Sequence, residues 1–106
     1  MKQLYELHAE ICETLANPIR IEIINTLRDK ELSVGALLSK LKIKKANLSQ
    51  HLALMRAKGI VKARRDGINI FYRIANPKVI KACDIMRQVL IEQLTNVNKT
   101  LKKWGK

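Results

Sequence analysis

The sequence predicts a mainly α-helical domain that carries one small β-hairpin. Apolar residues recur at spacings of three and four through most of the chain, which is the periodicity of amphipathic helices. The pattern changes to alternation between Ile60 and Ile74, where Asp66-Gly67 supplies the residue types of a hairpin turn. A length of 106 residues corresponds to one domain, which we expect to extend over residues 1–106.

Five helices are predicted from these spacings together with local start and stop signals. Asn17-Pro18 and Asn76-Pro77 each place a capping side chain before a proline, whose missing N–H does no harm in a first helical turn. Ser33 is predicted to cap a short helix, and Gly59 to end the helix before the hairpin. The predicted helices span residues 2–15, 18–28, 34–41 and 45–58, and the last runs from Pro77 toward the C-terminal end.

The last predicted helix carries an apolar stripe that so small a domain cannot cover by itself. Its members follow one another at intervals of three and four, with one gap of seven: Val79, Cys83, Met86, Leu90, Val97, Leu101 and Trp104. Packing against a second copy of the chain would remove this stripe from water, so we expect a homodimer. Four lysines near the end form either a basic tail or a solvated helix end: Lys99, Lys102, Lys103 and Lys106.

The charge of the chain favours a polyanionic partner. The formal net charge is +12, and Asp66 is the only carboxylate residue between Leu41 and Ile74. Each Lys or Arg that neutralises a phosphate releases condensed counterions, so nucleic acid is the first candidate partner and a membrane surface the second. No apolar run reaches the roughly 20 residues that cross a bilayer. The start of the chain lacks the apolar segment of a signal peptide, and we therefore expect a cytoplasmic protein with no membrane partner.

A helix followed at once by a basic hairpin suits double-stranded DNA, because the helix can enter the major groove while the hairpin reaches the adjoining backbone. In the helix, Leu48, Leu52 and Met55 share one face and are predicted core residues. The candidate DNA contacts lie at its start and on its other face: Lys44, Lys45, Ala46, Asn47, Ser49 and Gln50. Asn and Gln side chains can pair with an adenine edge, whereas Ser and Lys suit phosphate or guanine. The alternative is a solvated polar face.

The hairpin adds Arg64, Arg65 and Arg73 as candidate contacts to phosphate or to the minor groove. The alternative is that these arginines only keep the hairpin soluble. Phe71 and Tyr72 lie on opposite faces of a strand, so that one of the two is a predicted core residue. For His51 two interpretations stay open: a residue near the groove, or a packed and hydrogen-bonded histidine.

Three segments in this order resemble the ArsR/SmtB family of dimeric winged-helix repressors. They are Leu15-Ala-Asn-Pro-Ile-Arg20, Leu48-Ser-Gln-His-Leu-Ala-Leu-Met-Arg-Ala-Lys-Gly-Ile-Val61, and Arg64-Arg-Asp-Gly67 followed by Phe71-Tyr72. The likeness extends over roughly residues 7 to 95. It implies a winged helix-turn-helix that dimerises through its first and last helices, and a repressor that binds double-stranded operator DNA.

The metal sites of that family do not match this sequence. Its thiolate site lies in a Glu-Leu-Cys-Val-Cys pattern, and here the segment reads Glu31-Leu32-Ser33-Val34-Gly35. Its other common site uses histidines of the last helix, and residues 77–106 contain none. Zinc needs about four nitrogen or sulfur ligands, so we expect no metal site and no cofactor. The family also caps its DNA-reading helix with Ser or Thr, where this chain has Lys44, which cannot cap in that way.

Cys12 and Cys83 fall on the two helices that the resemblance places at the dimer interface. They either pack as small apolar residues or form a sensor pair for a small thiol-reactive inducer. Redox or sulfane-sulfur chemistry is our first hypothesis for such a sensor. A soft metalloid is the second, since two thiolates need a third ligand such as His8 or a sulfur of the partner chain. Sulfur-responsive relatives place one cysteine in the second helix, whereas Cys12 lies on the first.

We do not expect an enzyme, because the acids are scattered, the two histidines lie on different helices and the glycines form no phosphate loop. The predicted function is a sequence-specific, homodimeric transcriptional repressor that thiol chemistry releases from its operator. Three alternatives stay open: a metal- or metalloid-responsive repressor of the same family, a sequence-neutral basic architectural DNA-binding protein, and a winged helix that serves protein interaction.

Overall fold

The computed structural model describes residues 1–104, and Lys106 of the basic tail lies outside them. Within that range the chain forms five helices and three strands. In chain order these are α1 Lys2–Leu15, α2 Pro18–Leu27, β1 Leu32–Ser33, α3 Val34–Leu41, α4 Lys45–Ala57, β2 Val61–Asp66, β3 Asn69–Ile74 and α5 Lys78–Trp104. The mainly helical fold with a hairpin wing is confirmed, and the observed helices begin and end at or next to the predicted residues.

The starts of α2 and α3 are fixed by the capping side chains that the sequence indicated. The side-chain oxygen of Asn17 accepts hydrogen bonds from the backbone N–H groups of Ile19 and Arg20, at 2.9 and 3.2 Å. Ser33 accepts the N–H of Ala36 at 3.1 Å and so starts α3. Gly59, which follows α4, has a φ of +75°, in the left-handed region that favours glycine.

The three strands form one antiparallel sheet in the order β1-β3-β2. Strand β1 was not predicted, because two residues are too few to show a periodicity and their partners lie far along the chain. Leu32 pairs with Tyr72 and Ser33 with Phe71. This pairing attaches the start of α3 to the wing formed by β2 and β3, and it places Glu31 beside the wing.

The core lies between α2, α3, α4 and the inner face of the sheet. Its buried members are Ile23, Ile24, Leu27, Leu37, Leu41, Leu48, Leu52, Met55, Ile60, Val61, Tyr72 and Ile74. The three residues predicted for the core from α4 are among them. Tyr72 is the core member of the aromatic pair, and Phe71 is half-buried on the other face of β3.

Helices α1 and α5 leave their apolar residues largely exposed. None of the 27 residues of α5 is buried. Large apolar side chains exposed on the two helices are Leu4, Tyr5 and Leu7 of α1, and Ile85, Met86, Val89, Leu90, Ile91, Leu94, Val97, Leu101 and Trp104 of α5. No helix within residues 1–104 combines the length and the apolar character that crossing a membrane requires. The two helices therefore present an apolar surface that this single chain does not cover.

Candidate nucleic-acid interface

Helix α4 has one buried face and one exposed polar face. Leu48, Leu52 and Met55 are at most 1% exposed and hold the helix against the core. All six residues proposed as DNA contacts at and after its start are exposed: Lys44, Lys45, Ala46, Asn47, Ser49 and Gln50. The structure therefore brings these side chains together on the side of α4 that faces away from the core.

The start of α4 lacks a side-chain cap, as the sequence indicated. Lys44 occupies the N-cap position with extended backbone, and its side chain makes no capping hydrogen bond. The first turn of α4 contains no acidic residue. The backbone N–H groups of this turn can therefore donate hydrogen bonds to an acceptor from a partner, and the adjacent Lys44 and Lys45 make the surroundings positively charged.

The arginines of the wing do not all face the same way. Lys62 pairs with Arg73 and Arg64 with Phe71 across the hairpin, whereas Arg65 pairs with Ile70. Because successive strand residues alternate between the two faces of a sheet, Arg64 and Arg73 share one face and Arg65 lies on the other. No carboxylate within residues 1–104 forms an ion pair with Arg65 or Arg73. Both side chains are exposed to an anionic partner, and the charge of Arg73 also acts on the nearby carboxyl of Glu31.

Arg64 already has a partner in the protein. Its Nε and Nη2 donate to Oε1 of Glu31 at 3.1 and 2.7 Å, and its guanidinium lies 4.8 Å from the centre of the Phe71 ring. The hydrogen bond from Arg64 lowers the pKa of the Glu31 carboxyl. Asp66 is the only acidic residue within the hairpin sequence, and the pairing of β1 with β3 adds Glu31, directly before β1, as a second acidic neighbour of the wing. Arg64 is consequently a weaker candidate for DNA contact than Arg65 or Arg73.

His51 is packed and hydrogen-bonded. It is half-buried on α4, and its Nδ1 accepts a hydrogen bond from Nε of Arg20 at 3.1 Å. Burial and the charge of Arg20 lower the pKa of His51, so the imidazole is neutral at neutral pH. Of the two interpretations that the sequence left open, the structure supports the packed histidine.

The two cysteines line one apolar groove. Cys12 is exposed and Cys83 is half-buried. The groove has a volume of about 530 Å³, and its walls come from the end of α1, from α2 and from α5: Cys12, Leu15, Ala16, Ile21, Ala82, Cys83, Met86, Arg87 and Leu90. Burial raises the pKa of the Cys83 thiol. The structure thus places both sulfur-bearing side chains at the same cavity.

An ion-pair cluster holds α5 in place beside this groove. Arg28, directly after α2, donates from Nη2 and Nη1 to the two carboxylate oxygens of Asp84, at 2.8 and 2.9 Å. Arg87 adds a third hydrogen bond to Asp84 at 3.2 Å. The bond from Arg28 is the main reason that the pKa of Asp84 is lowered. Because Asp84 follows Cys83, the cluster also fixes where that thiol lies.

The described part of the chain offers no preformed metal site. Within residues 1–104, no three His, Cys, Asp or Glu side chains lie close enough together to hold a metal ion. His8, named above as a third ligand for a metalloid, is exposed on α1. Cys12 and Cys83 are therefore not joined by a third ligand of the same chain.

Comparison with known proteins identifies the family. The sequence profile described as "Bacterial regulatory protein, arsR family" matches residues 17–63, from the cap of α2 into β2. The uncharacterized HTH-type transcriptional regulator Rv0081 of Mycobacterium tuberculosis is 43% identical over 94 residues, which are 88% of this chain and 82% of the relative. The chain belongs to the arsR family of bacterial regulatory proteins.

Solved structures and relatives similar to this chain support the fold. The crystal structure of Rv0081 matches with a TM-score of 0.79 at 42% identity, over 88% of this chain and 94% of that one. The solution structure of the homodimeric winged helix-turn-helix DNA-binding domain of Mb0332 from Mycobacterium bovis matches with a TM-score of 0.80 at 28% identity, over 90% of this chain and 88% of that one. The transcriptional repressor PagR of Bacillus anthracis is 43% identical over 72 residues, which are 67% of this chain and 72% of the relative. This arsR-family protein is thus a transcriptional regulator with a winged helix-turn-helix fold, and these relatives are named as regulators rather than enzymes.

Two residues that contact the candidate interface from the rest of the domain were not indicated by any local sequence pattern. Glu31 reaches Arg64 only through the pairing of β1 with β3. Arg20 lies 31 positions before His51, and no local pattern indicates that they meet. Arg20 does stand in the segment that carries the family resemblance, and that was the one available hint.

Proposed function

We propose that the protein is a homodimeric, sequence-specific transcriptional repressor that binds operator DNA with α4 in the major groove. The exposed polar face of α4 is the observation that carries the proposal. Its core packing depends on Leu48, Leu52 and Met55 and needs none of the exposed side chains. Asn47 and Gln50 have the paired donor and acceptor that read an adenine edge, and such contacts give sequence preference.

The proposed role of the wing is to hold the neighbouring DNA backbone. Arg65 and Arg73 are exposed on its two faces, and neither forms an ion pair with a carboxylate among the described residues. Contacts of this kind supply affinity and register and carry little sequence information. Arg64 could contribute only by exchanging the Glu31 carboxylate for a phosphate.

The proposed homodimer uses α1 and α5. Their exposed apolar side chains form a surface that a second copy would remove from water, and the related domain of Mb0332 is described as homodimeric. In a dimer with two-fold symmetry, the two copies of α4 lie on the same side of the molecule. Such a dimer is expected to bind an inverted repeat whose half-sites lie about one helical turn, roughly 34–36 Å, apart.

We further propose that thiol chemistry at Cys12 and Cys83 releases the operator. The support is that both residues line the groove between α1 and α5, the helices of the proposed interface. Disulfide formation removes two electrons and two protons from the two thiols. A hydroperoxide accepts these electrons and protons and is reduced to water and an alcohol. The bridge would fix the spacing of the two helices and so alter the separation of the two copies of α4. Metalloid binding ranks second, since a third ligand would have to come from the partner.

Selection of duplexes from a random-sequence pool tests the function. The wild-type protein is expected to enrich an inverted repeat and to bind it on the order of a thousandfold or more tightly than random duplex. Equal affinity for both DNAs, with a steep salt dependence, would instead establish a sequence-neutral architectural protein. A lack of salt-dependent DNA binding would favour a protein-interaction module.

The sensor needs a separate measurement on the selected operator. Operator affinity of the wild type is expected to fall on treatment with a hydroperoxide or a sulfane-sulfur donor and to recover with reductant. The Cys12→Ser, Cys83→Ser double variant should bind equally well in all three conditions. If the wild type and the double variant respond alike, the two cysteines only pack.

A further inference from the structure

Arg20 connects the end of α1 to the helix proposed to read DNA. It lies in the first turn of α2, where Asn17 fixes its backbone through the capping hydrogen bond at 3.2 Å. Its Nη1 donates to the backbone carbonyl of Thr14 in α1 at 3.2 Å, and its Nε donates to Nδ1 of His51 in α4 at 3.1 Å. One rigid, planar guanidinium thus spans three helices.

A second polar contact joins α1 to the end of α4. Thr14 is 4% exposed, and its hydroxyl donates to the carbonyl of Glu10. The carboxylate of Glu10 lies 3.6 Å from Nζ of Lys58, directly after α4. This second pair is largely exposed and therefore weak. The part-buried guanidinium of Arg20, which donates to both Thr14 and His51, is thus the main polar link between α1 and α4.

We propose that Arg20 and His51 are a positioning pair, which sets the orientation of α4 against α1 and holds α4 in its DNA-binding orientation only while His51 is neutral. The inference rests on the proposed function, since it assigns a role to residues behind the DNA-reading face. A neutral imidazole can offer Nδ1 as an acceptor, whereas a protonated one has donors at both ring nitrogens. Protonation therefore removes the acceptor and leaves two cations facing each other.

The surroundings of His51 are consistent with a neutral ring. Arg20 on α2 lines a pocket together with three charged residues of the neighbouring elements: Glu10 and Glu13 of α1, and Lys58 after α4. Burial first, and then the charge of Arg20, lower the pKa of His51. The link is accordingly complete above the ordinary histidine pKa of about 6.5 and is lost as the pH falls through the lowered pKa of His51 in the folded protein.

The direction of the pH effect distinguishes this role from direct DNA contact. If His51 touched a phosphate, protonation would add a favourable charge and operator binding would tighten in acid. If His51 serves Arg20, protonation releases α4 and operator binding weakens. The chain has only two histidines, His8 and His51, so that His8→Asn is the matched control substitution.

The test measures affinity for the selected operator duplex from about pH 8 to about pH 5, a range that brackets the ordinary histidine pKa, at constant ionic strength. For the wild type and His8→Asn we expect a loss on the order of tenfold in acid, the effect of one hydrogen bond from a charged donor. His51→Asn keeps an acceptor oxygen near the position of Nδ1 and cannot titrate. It should bind as the wild type does at high pH and stay tight in acid, whereas His51→Ala should bind about tenfold more weakly throughout.

Three results would overturn the positioning pair: tighter wild-type binding in acid, a wild-type profile without pH dependence, or full affinity of His51→Ala at high pH. Circular dichroism at each pH serves as the control for an unchanged folded fraction. The pH profile of the wild type is informative by itself, so the proposal can be tested even if one of the variants fails to fold. Failure of the proposed function is a different outcome, because the wild type would then select no operator at all.

Discussion

The most informative single substitution is Leu90→Lys, which places a charge in the proposed dimer interface. Leu90 is 52% exposed in the single chain. Full burial of a leucine is worth about 1.5–3 kcal/mol, so covering the remaining half contributes about 1 kcal/mol per chain and about 2 kcal/mol per dimer. Truncation to alanine would therefore weaken the dimer roughly thirtyfold. Lysine adds the desolvation of two unpaired ammonium groups, several kcal/mol in total, and should raise the dimer dissociation constant by at least about a thousandfold.

Sedimentation velocity over a concentration series measures this change. Gln88→Lys is the matched control, because it adds the same charge to the same helix at an exposed polar position off the apolar stripe. We expect the wild type and Gln88→Lys to sediment as dimers and Leu90→Lys as a monomer or an unfolded chain, which circular dichroism distinguishes. A wild type that is monomeric at micromolar concentration, or a Leu90→Lys dimer as tight as the wild type, would refute the assignment of α5 to the interface.

Three further outcomes are expected. Gln50→Ala should lower the binding free energy for the selected operator by about 1–3 kcal/mol and relax base preference at one or two positions. Arg65→Ala should weaken binding to all duplexes similarly and lower the slope of log affinity against log salt concentration by about 1. Equal losses on specific and random DNA for both variants would contradict this division. Leu52→Ala, at a site that is 1% exposed, should lower the free energy of unfolding by about 2–5 kcal/mol in urea denaturation, and a loss below about 1 kcal/mol would mean that α4 is not anchored there. The hydrogen bond from Arg28 lowers the pKa of Asp84, so the stabilising contribution of this carboxylate should be complete above the ordinary aspartate pKa of about 3.9 and lost as the pH falls through the lowered pKa. Asp84→Asn should therefore lower the unfolding temperature at neutral pH and show a smaller further drop in acid than the wild type.

The helices could be predicted closely because their signals are local. Asn17 and Ser33 cap helices through bonds to backbone groups two or three residues ahead, so a short window of sequence contains the whole interaction. The core face of α4 was also predictable, since residues three and four apart must share a face. The exposed candidates for DNA contact followed from the same periodicity.

The contacts that could not be predicted are those between distant segments. Strand β1 exists only because Leu32 and Ser33 find Tyr72 and Phe71, and that pairing brings Glu31 to Arg64. A short stretch of sequence does not show that the charge of Arg64 is paired with a carboxylate that lies 33 positions earlier. His51 was left with two interpretations for the same reason, because its partner Arg20 lies on another helix. Long-range pairing decides which basic residues remain free for a partner.

The most direct test of the central claim is hydroxyl-radical footprinting of the wild-type dimer on its selected operator, with Gln50→Ala and Arg65→Ala in parallel. We expect two protected backbone segments about one helical turn apart. Gln50→Ala should give the same pattern but only at a higher protein concentration, and Arg65→Ala should lose protection of the backbone that flanks each half-site. Uniform protection without half-sites, unchanged by either substitution, would contradict a homodimer that reads DNA with α4.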